Sequence, residues 1–102
     1  MRKKRILFCG EATYLNTGYA TYGREVMKRL YQSDKYELAE FASYGEGEKH
    51  SEPWGCYPNM PNTGVMSEVD AYNEKATNQF GEWRFEEVLL NFQPDIVFDI
   101  RD

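Results

Sequence analysis

Residues 5–30 read RILFCGEATYLNTGYATYGREVMKRL, and the order of patterns within them sets the fold class. The first six, RILFCG, form a short continuous apolar run closed by Gly10, which is how a strand buried on both faces of a parallel sheet reads. The next eight, EATYLNTG, are polar and end at Gly18. From there Tyr19, Tyr22, Val26, Met27 and Leu30 recur at helical spacing, with Arg24, Lys28 and Arg29 between them. Asn16 or Thr17 is a natural N-cap for this helix, and Ser33-Asp34 closes it with a turn.

Working outward, YELAEFASY supplies a second strand from about Tyr36 to Ala42 and completes a strand-helix-strand unit. Such a crossover is right-handed and its strands parallel, so the loop after the first strand falls at the carboxyl edge of the sheet, where ligands of open α/β sheets bind. Near the other end, Phe85, Val88, Leu89 and Phe92 make a helical stripe that Phe80 and Trp83 extend, predicting a helix over 79–92. Pro94 stops it, and IVFDI reads as a third strand. The expected fold is α/β: a partial Rossmann-like three-layer sandwich whose short parallel sheet has the strand order second, first, third. The domain reads as half built, with the third strand left as an apolar edge.

The middle is less regular. A long loop over about 43–66 carries glycines, prolines and the aromatics Trp54 and Tyr57, which are expected to pin it onto its own domain. Ser67, with Asp70 three residues on, predicts a capped short helix through Ala76 with Val69 and Tyr72 on one side. His50, in an acidic and glycine-bearing stretch, is expected to be exposed.

The 102 residues are 41% hydrophobic and 16% aromatic, enough to build one core, and the formal net charge is -5. That balance argues against a nucleic-acid-binding surface, which needs clustered Lys and Arg. The run Arg2-Lys3-Lys4-Arg5 leads directly into the first strand and reads as its solvated start. With two cysteines, one histidine and no CxxC, neither a disulfide scaffold nor a structural zinc is expected. The sequence contains no apolar stretch long enough for a membrane span, and a reduced, cytoplasmic setting fits best.

Three places can carry chemistry, the third being the aromatic loop around Trp54, Cys56 and Tyr57, whose flat faces can stack on sugars or bases although packing onto the domain is the stronger reading. The loop from Gly10 to Gly18 opens a helix, whose first backbone amides and dipole favour a phosphate or a sugar phosphate, so Asn16, Thr17, Gly18 and Tyr19 are the candidate binding residues. The close G-x-G-x-x-G spacing of dinucleotide sites is missing. GYATYG has the glycine spacing of a P-loop but continues with Arg24-Glu25, so Gly23 reads as a close helix-to-sheet contact. The second place is the tail DIRD, which sets Asp99, Arg101 and Asp102 at the carboxyl end of the third strand as possible cleft residues. Their spacing is not the D-x-D of metal-dependent transferases, and no metal is expected.

The segments RILFCGEATYLNTGYATYGREVMKRL and RFEEVLLNFQPDIVFDIRD resemble the two ends of the N-terminal domain in the GT-B-fold glycosyltransferases labelled "glycosyl transferases group 1". The match rests on Thr17-Gly18, Arg24-Glu25 and Leu30, and on Pro94-Asp95 followed by the apolar strand; it covers about 5–42 and 80–102. The resemblance implies a nucleotide-sugar-dependent, metal-independent sugar transfer in which this chain is the acceptor-side N-terminal domain. Gly18 and its neighbours would line the cleft, and Asp99, Arg101 and Asp102 would stand where the family often has a histidine-containing motif. The main nucleotide-sugar site, with its paired glutamates, belongs to a C-terminal domain, so this chain is expected to be a fragment inactive alone. The nucleotide-sugar donor is then a substrate of the complete enzyme, and no cofactor is expected. The alternative is a small flavodoxin-like module that binds a nucleotide or a partner without catalysis. The fragment reading expects an exposed IVFDI edge and self-association through it; a self-standing module would cover its edges.

Overall fold

The computed structural model describes residues 2–45 and 49–100. The first strand, β1 (Lys4–Glu11), runs into a loop and then α1 (Gly18–Gln32), which is followed by β2 (Tyr36–Ser43). After the crossing come β3 (Gly55–Pro58), α2 (Met66–Asn73), a 3-10 helix (Ala76–Phe80), α3 (Phe85–Phe92) and β4 (Ile96–Ile100). All strands are parallel, in the order β3-β2-β1-β4.

The α/β expectation and the central place of β1 hold, because an apolar run with no polar face can be buried only between two layers. Register fixes which residue meets which layer. Ile6 lies beside Leu38, and both pack with Phe8, Met27 and Trp54 on the face covered by α1. Leu7 and Cys9 pack with Ala39, Phe41, Val88 and Phe92 on the face covered by α3. Each fully buried Leu, Phe or Met contributes about 1.5–3 kcal/mol relative to exposure, so the two clusters hold the three layers together.

Three corrections concern the middle of the chain. First, the expected loop over 43–66 contains β3, which extends the order second, first, third by one edge strand beside β2. Four residues that begin with Gly55 and end with Pro58 carry no β pattern; what selects them is Trp54, buried at 4% exposure against the α1-face cluster, which delivers the chain to the edge of β2. Second, α2 begins at Met66 and ends at Asn73, with Val65 at its N-cap and no side-chain cap bond, so Ser67 is not the cap. Third, the helix expected over 79–92 is two pieces. Gly81, at φ 99, ends the 3-10 helix in a left-handed conformation, and a Cβ there would meet the Phe41 ring at 2.5 Å. Trp83 does not extend the α3 stripe: its Nε1 donates to Asn59 Oδ1 at 2.7 Å, and the Arg84 guanidinium lies 3.9 Å from its ring centre.

Charges close the amino ends of the strands. Arg2 pairs with Asp95, Lys3 with Asp34, and Arg5 with Glu37, which agrees with a solvated start to β1. Asp95 also accepts from the Arg5 backbone at 2.8 Å, and the Arg2 guanidinium, through its hydrogen bonds, holds the Asp95 carboxyl below the usual carboxylate range.

Candidate functional site at the carboxyl edge

The loop between β1 and α1 is anchored at both ends. Ala12 donates to the Ser43 carbonyl at 2.9 Å, carrying the β1–β2 pairing one residue past the strand. At the far end Thr17 is the N-cap, with φ -127, ψ 164, and its Oγ1 accepts from the Ala20 amide at 3.0 Å. Of the two expected caps it is Thr17, and not Asn16, that closes the helix. Asn16, Thr17, Gly18 and Tyr19 are all exposed along this turn, at the carboxyl edge of the sheet.

One partner alters the chemistry of the turn. The Thr17 hydroxyl donates to Glu11, so the chain brings its own carboxylate to the start of α1. Negative charge at a helix N-terminus is favourable by about 0.3–1 kcal/mol, and the same charge opposes an incoming phosphate. What the turn offers is the Glu11 carboxylate, bonded to the Thr17 hydroxyl, with the exposed residues Asn16, Gly18 and Tyr19 along the same turn.

Asp99 pairs in register with Cys9, which places it on the α3 face of the sheet, whereas α1 covers the other. Arg101 and Asp102 lie outside the described residues.

Beneath the loop lies a carboxylate that sequence reasoning passed over. Glu40 stands in the middle of β2 on the α1 face and is fully buried. Its Oε1 accepts from the Thr13 amide at 3.0 Å, and its Oε2 accepts from the Thr13 hydroxyl and the Trp54 indole, each at 2.6 Å. His50 Nε2 stands 3.3 Å from the same oxygen, at ion-pair distance rather than in hydrogen-bond geometry. His50 is therefore not exposed as expected: its side chain is 11% exposed and its ring meets Tyr14 edge-on. The signal was available, since an acid inside the apolar run Leu38-Ala39-Glu40-Phe41-Ala42 must find donors if both faces of its strand are buried.

Cys56 lies beside Glu40 across the β2–β3 pair. Burial, and then the Glu40 charge, push its thiol up to about 12, so it stays protonated and is no nucleophile at neutral pH. The oxygens of Glu40 are held by buried donors, and the cluster ties the β1–α1 loop and the β2–β3 crossing to the sheet. Arg24 adds a third tie, donating to the Thr13 carbonyl at 2.9 Å.

Among the described residues no group of three or more His, Cys, Asp or Glu could hold a metal ion, and no helix is long and apolar enough to cross a membrane. A groove of about 790 Å³ flanks β3 and the start of β2, lined by Tyr31, Tyr36, Trp54 and Tyr57 among others. It includes Trp54, Cys56 and Tyr57 of the aromatic loop but none of residues 16–19, and it sits away from the carboxyl edge; the candidate site is placed at the edge because loop, helix N-terminus and polar side chains converge there. Comparisons with protein-family models, with curated proteins and with solved structures find no match for this chain.

Proposed function

We propose that this chain is part of the N-terminal, acceptor-side domain of a nucleotide-sugar-dependent glycosyltransferase of the GT-B kind, inactive without the domain that holds the donor. The observation that carries the reading is the turn Asn16–Tyr19, which opens α1 at the carboxyl edge of a parallel sheet with the Glu11 carboxylate beside it. A carboxylate, a hydroxyl, an amide and an aromatic ring suit the hydroxyls and the flat face of a sugar. On this reading the turn meets the acceptor rather than the donor phosphates, because Glu11 already supplies the negative charge that α1 favours. Positioning the acceptor is then this domain's contribution to the reaction, and the donor domain supplies the rest.

A further support is the character of β4. Ile96, Phe98 and Ile100 point to the α1 face and Val97 to the α3 face, the composition of a strand made to have neighbours on both sides. The deciding experiment is to sequence the DNA immediately downstream of the Asp102 codon in the same frame. An open frame encoding a second Rossmann-like domain with paired glutamates supports the proposal. A stop codon with no such domain encoded nearby sinks it and leaves a small binding module using the same turn.

A further inference from the structure

The groove of about 790 Å³ beside β3 is made by two consecutive strands and the crossing between them. β3 begins only at Gly55, opposite Ala39, so Tyr36, Glu37 and Leu38 at the start of β2 have no strand beside them on that side among the described residues. The groove occupies this gap, and its size falls within the roughly 300–1,000 Å³ of small-molecule sites. Alternate residues of a strand turn their backbone N–H and C=O groups to opposite sides, so the start of β2 adds backbone donors and acceptors to the gap.

Aromatic rings reach the gap from both faces of the sheet. Tyr36 and Leu38 lie on the α1 face, where the ring of Tyr31 stands 6.2 Å from that of Trp54, centre to centre. Trp54 is buried whereas Tyr31 is 47% exposed, so the indole backs a ring that stays open to a ligand. On the α3 face Tyr57 lines the groove with its ring edge-on to Phe92.

The charges at the groove are cancelled in pairs. Lys3 Nζ lies 2.6 Å from Asp34, and Glu37 lies 3.0 Å from Arg5. Among the described lining residues a phosphate then meets no spare cation and an organic cation no spare anion, but the carboxylate oxygens keep lone pairs that a hydroxyl can use. Flat rings beside hydroxyl acceptors in an electrically balanced groove match a neutral sugar, whose ring has an apolar face and a polar rim. A peptide strand is disfavoured, because the open stretch is three residues long against about five or six in an ordinary strand, and the bends at 52–54 close one end of it.

We propose that this groove binds a neutral oligosaccharide, with Tyr31 as the stacking ring and Asp34 as a hydroxyl acceptor, as a sugar site separate from the turn at residues 16–19. The inference rests on the groove alone and stands whether or not the chain serves sugar transfer.

The test is amide NMR on the full chain titrated separately with maltotriose and cellotriose, with inorganic phosphate and tetramethylammonium as controls. At least one of the sugars, at millimolar concentration, shifts Tyr36, Leu38, Gly55 and Tyr57 in a saturable way, and the two controls do not. Tyr31→Phe keeps the ring and binds within about two-fold of the wild-type chain, whereas Tyr31→Ala binds about three- to ten-fold more weakly. Asp34→Gly decides the matter if Tyr31→Ala fails to fold: it removes the acceptor, suits the φ of 56 at this position, and weakens binding about three-fold or more. Sugar shifts confined to residues 16–19 overturn the groove and leave the turn standing; shifts in the groove alone support it and count against the turn. Absence of groove shifts with either sugar at tens of millimolar overturns the proposal. So do groove shifts of equal size from tetramethylammonium or phosphate, and so does equal binding by Tyr31→Ala and the wild-type chain.

Discussion

The Thr13 hydroxyl donates to Glu40 Oε2 at 2.6 Å while the Thr13 amide donates to Oε1 at 3.0 Å, so one residue of the β1–α1 loop holds both oxygens of a carboxylate buried in the sheet. Removing the carboxylate strands the Thr13 amide, the Thr13 hydroxyl and the Trp54 indole away from water. Glu40→Leu is expected to cost about 3–5 kcal/mol in urea unfolding, and Thr13→Val about 1–2 kcal/mol. Glu37→Gln, which breaks an exposed pair with Arg5, costs under about 1 kcal/mol. Equal losses for Glu40→Leu and Glu37→Gln would remove Glu40 from the role assigned to it.

Two glycines in the same helix separate packing from binding. A Cβ on Gly23 would lie 2.8 Å from Phe8 Cζ, and Phe8 is boxed in by the α1-face core. Gly23→Ala therefore destabilises by about 1–3 kcal/mol, offset in part by the roughly 1 kcal/mol that alanine gains over glycine in a helix. A Cβ on Gly18 meets nothing within 4 Å, so Gly18→Ala leaves stability unchanged within about 0.5 kcal/mol. Thermal melts of the two variants side by side check this, and a stabilised Gly23→Ala would mean that the α1–β1 contact is looser than described.

The Cys56 thiol, raised to about 12 mainly by burial, makes a statement about alkaline pH. The folded chain keeps the proton that the unfolded chain releases near the ordinary value of 9.0, so the unfolded state gains as pH rises from 9.0 to about 12. Stability is lost across that window, and Tyr57, whose phenol burial also raises, acts in the same direction. Cys56→Ser is expected to flatten the alkaline limb of stability against pH while leaving neutral stability little changed. A thiol reagent at pH 8 should label Cys56 only after unfolding; rapid labelling of the native chain contradicts the burial and the charge that hold this thiol protonated.

The parts of this fold that were legible in the sequence are those set by long periodic patterns. Residues 5–30 dictate β1, the loop and α1 because an apolar run, a polar loop and a helical stripe each have one structural solution, and the Gly23 contact followed from the same helix. β3 was not legible, since its position depends on Trp54 finding the α1-face core rather than on its own four residues. The break at Gly81 was hidden because Phe80 and Trp83 continue the helical spacing while their rings serve other contacts, Trp83 with Asn59 and Phe80 with Tyr44. At the site, the exposed turn 16–19 was readable from cap and helix rules. Glu40 and His50 were not paired in advance, because they are brought together by a loop crossing that no local pattern records.

The last expectation concerns what the turn binds. With Glu11 bonded to the Thr17 hydroxyl at the start of α1, a phosphate approaching Gly18 meets a carboxylate, whereas a sugar hydroxyl meets an acceptor. In amide NMR spectra of the chain, maltose at millimolar concentration is expected to shift the resonances of Asn16, Thr17, Gly18 and Tyr19, and inorganic phosphate is not. Glu11→Gln removes the competing charge, so phosphate should then shift the same amides while the response to maltose falls. Thr17→Ala serves as the check on folding: it removes the cap at a cost of about 1 kcal/mol and frees Glu11 without neutralising it, so phosphate should still be refused. Phosphate shifting the turn of the wild-type chain as readily as that of Glu11→Gln would show that Glu11 does not govern the site. Absence of any sugar response at residues 16–19 would count against the turn as a sugar-binding site.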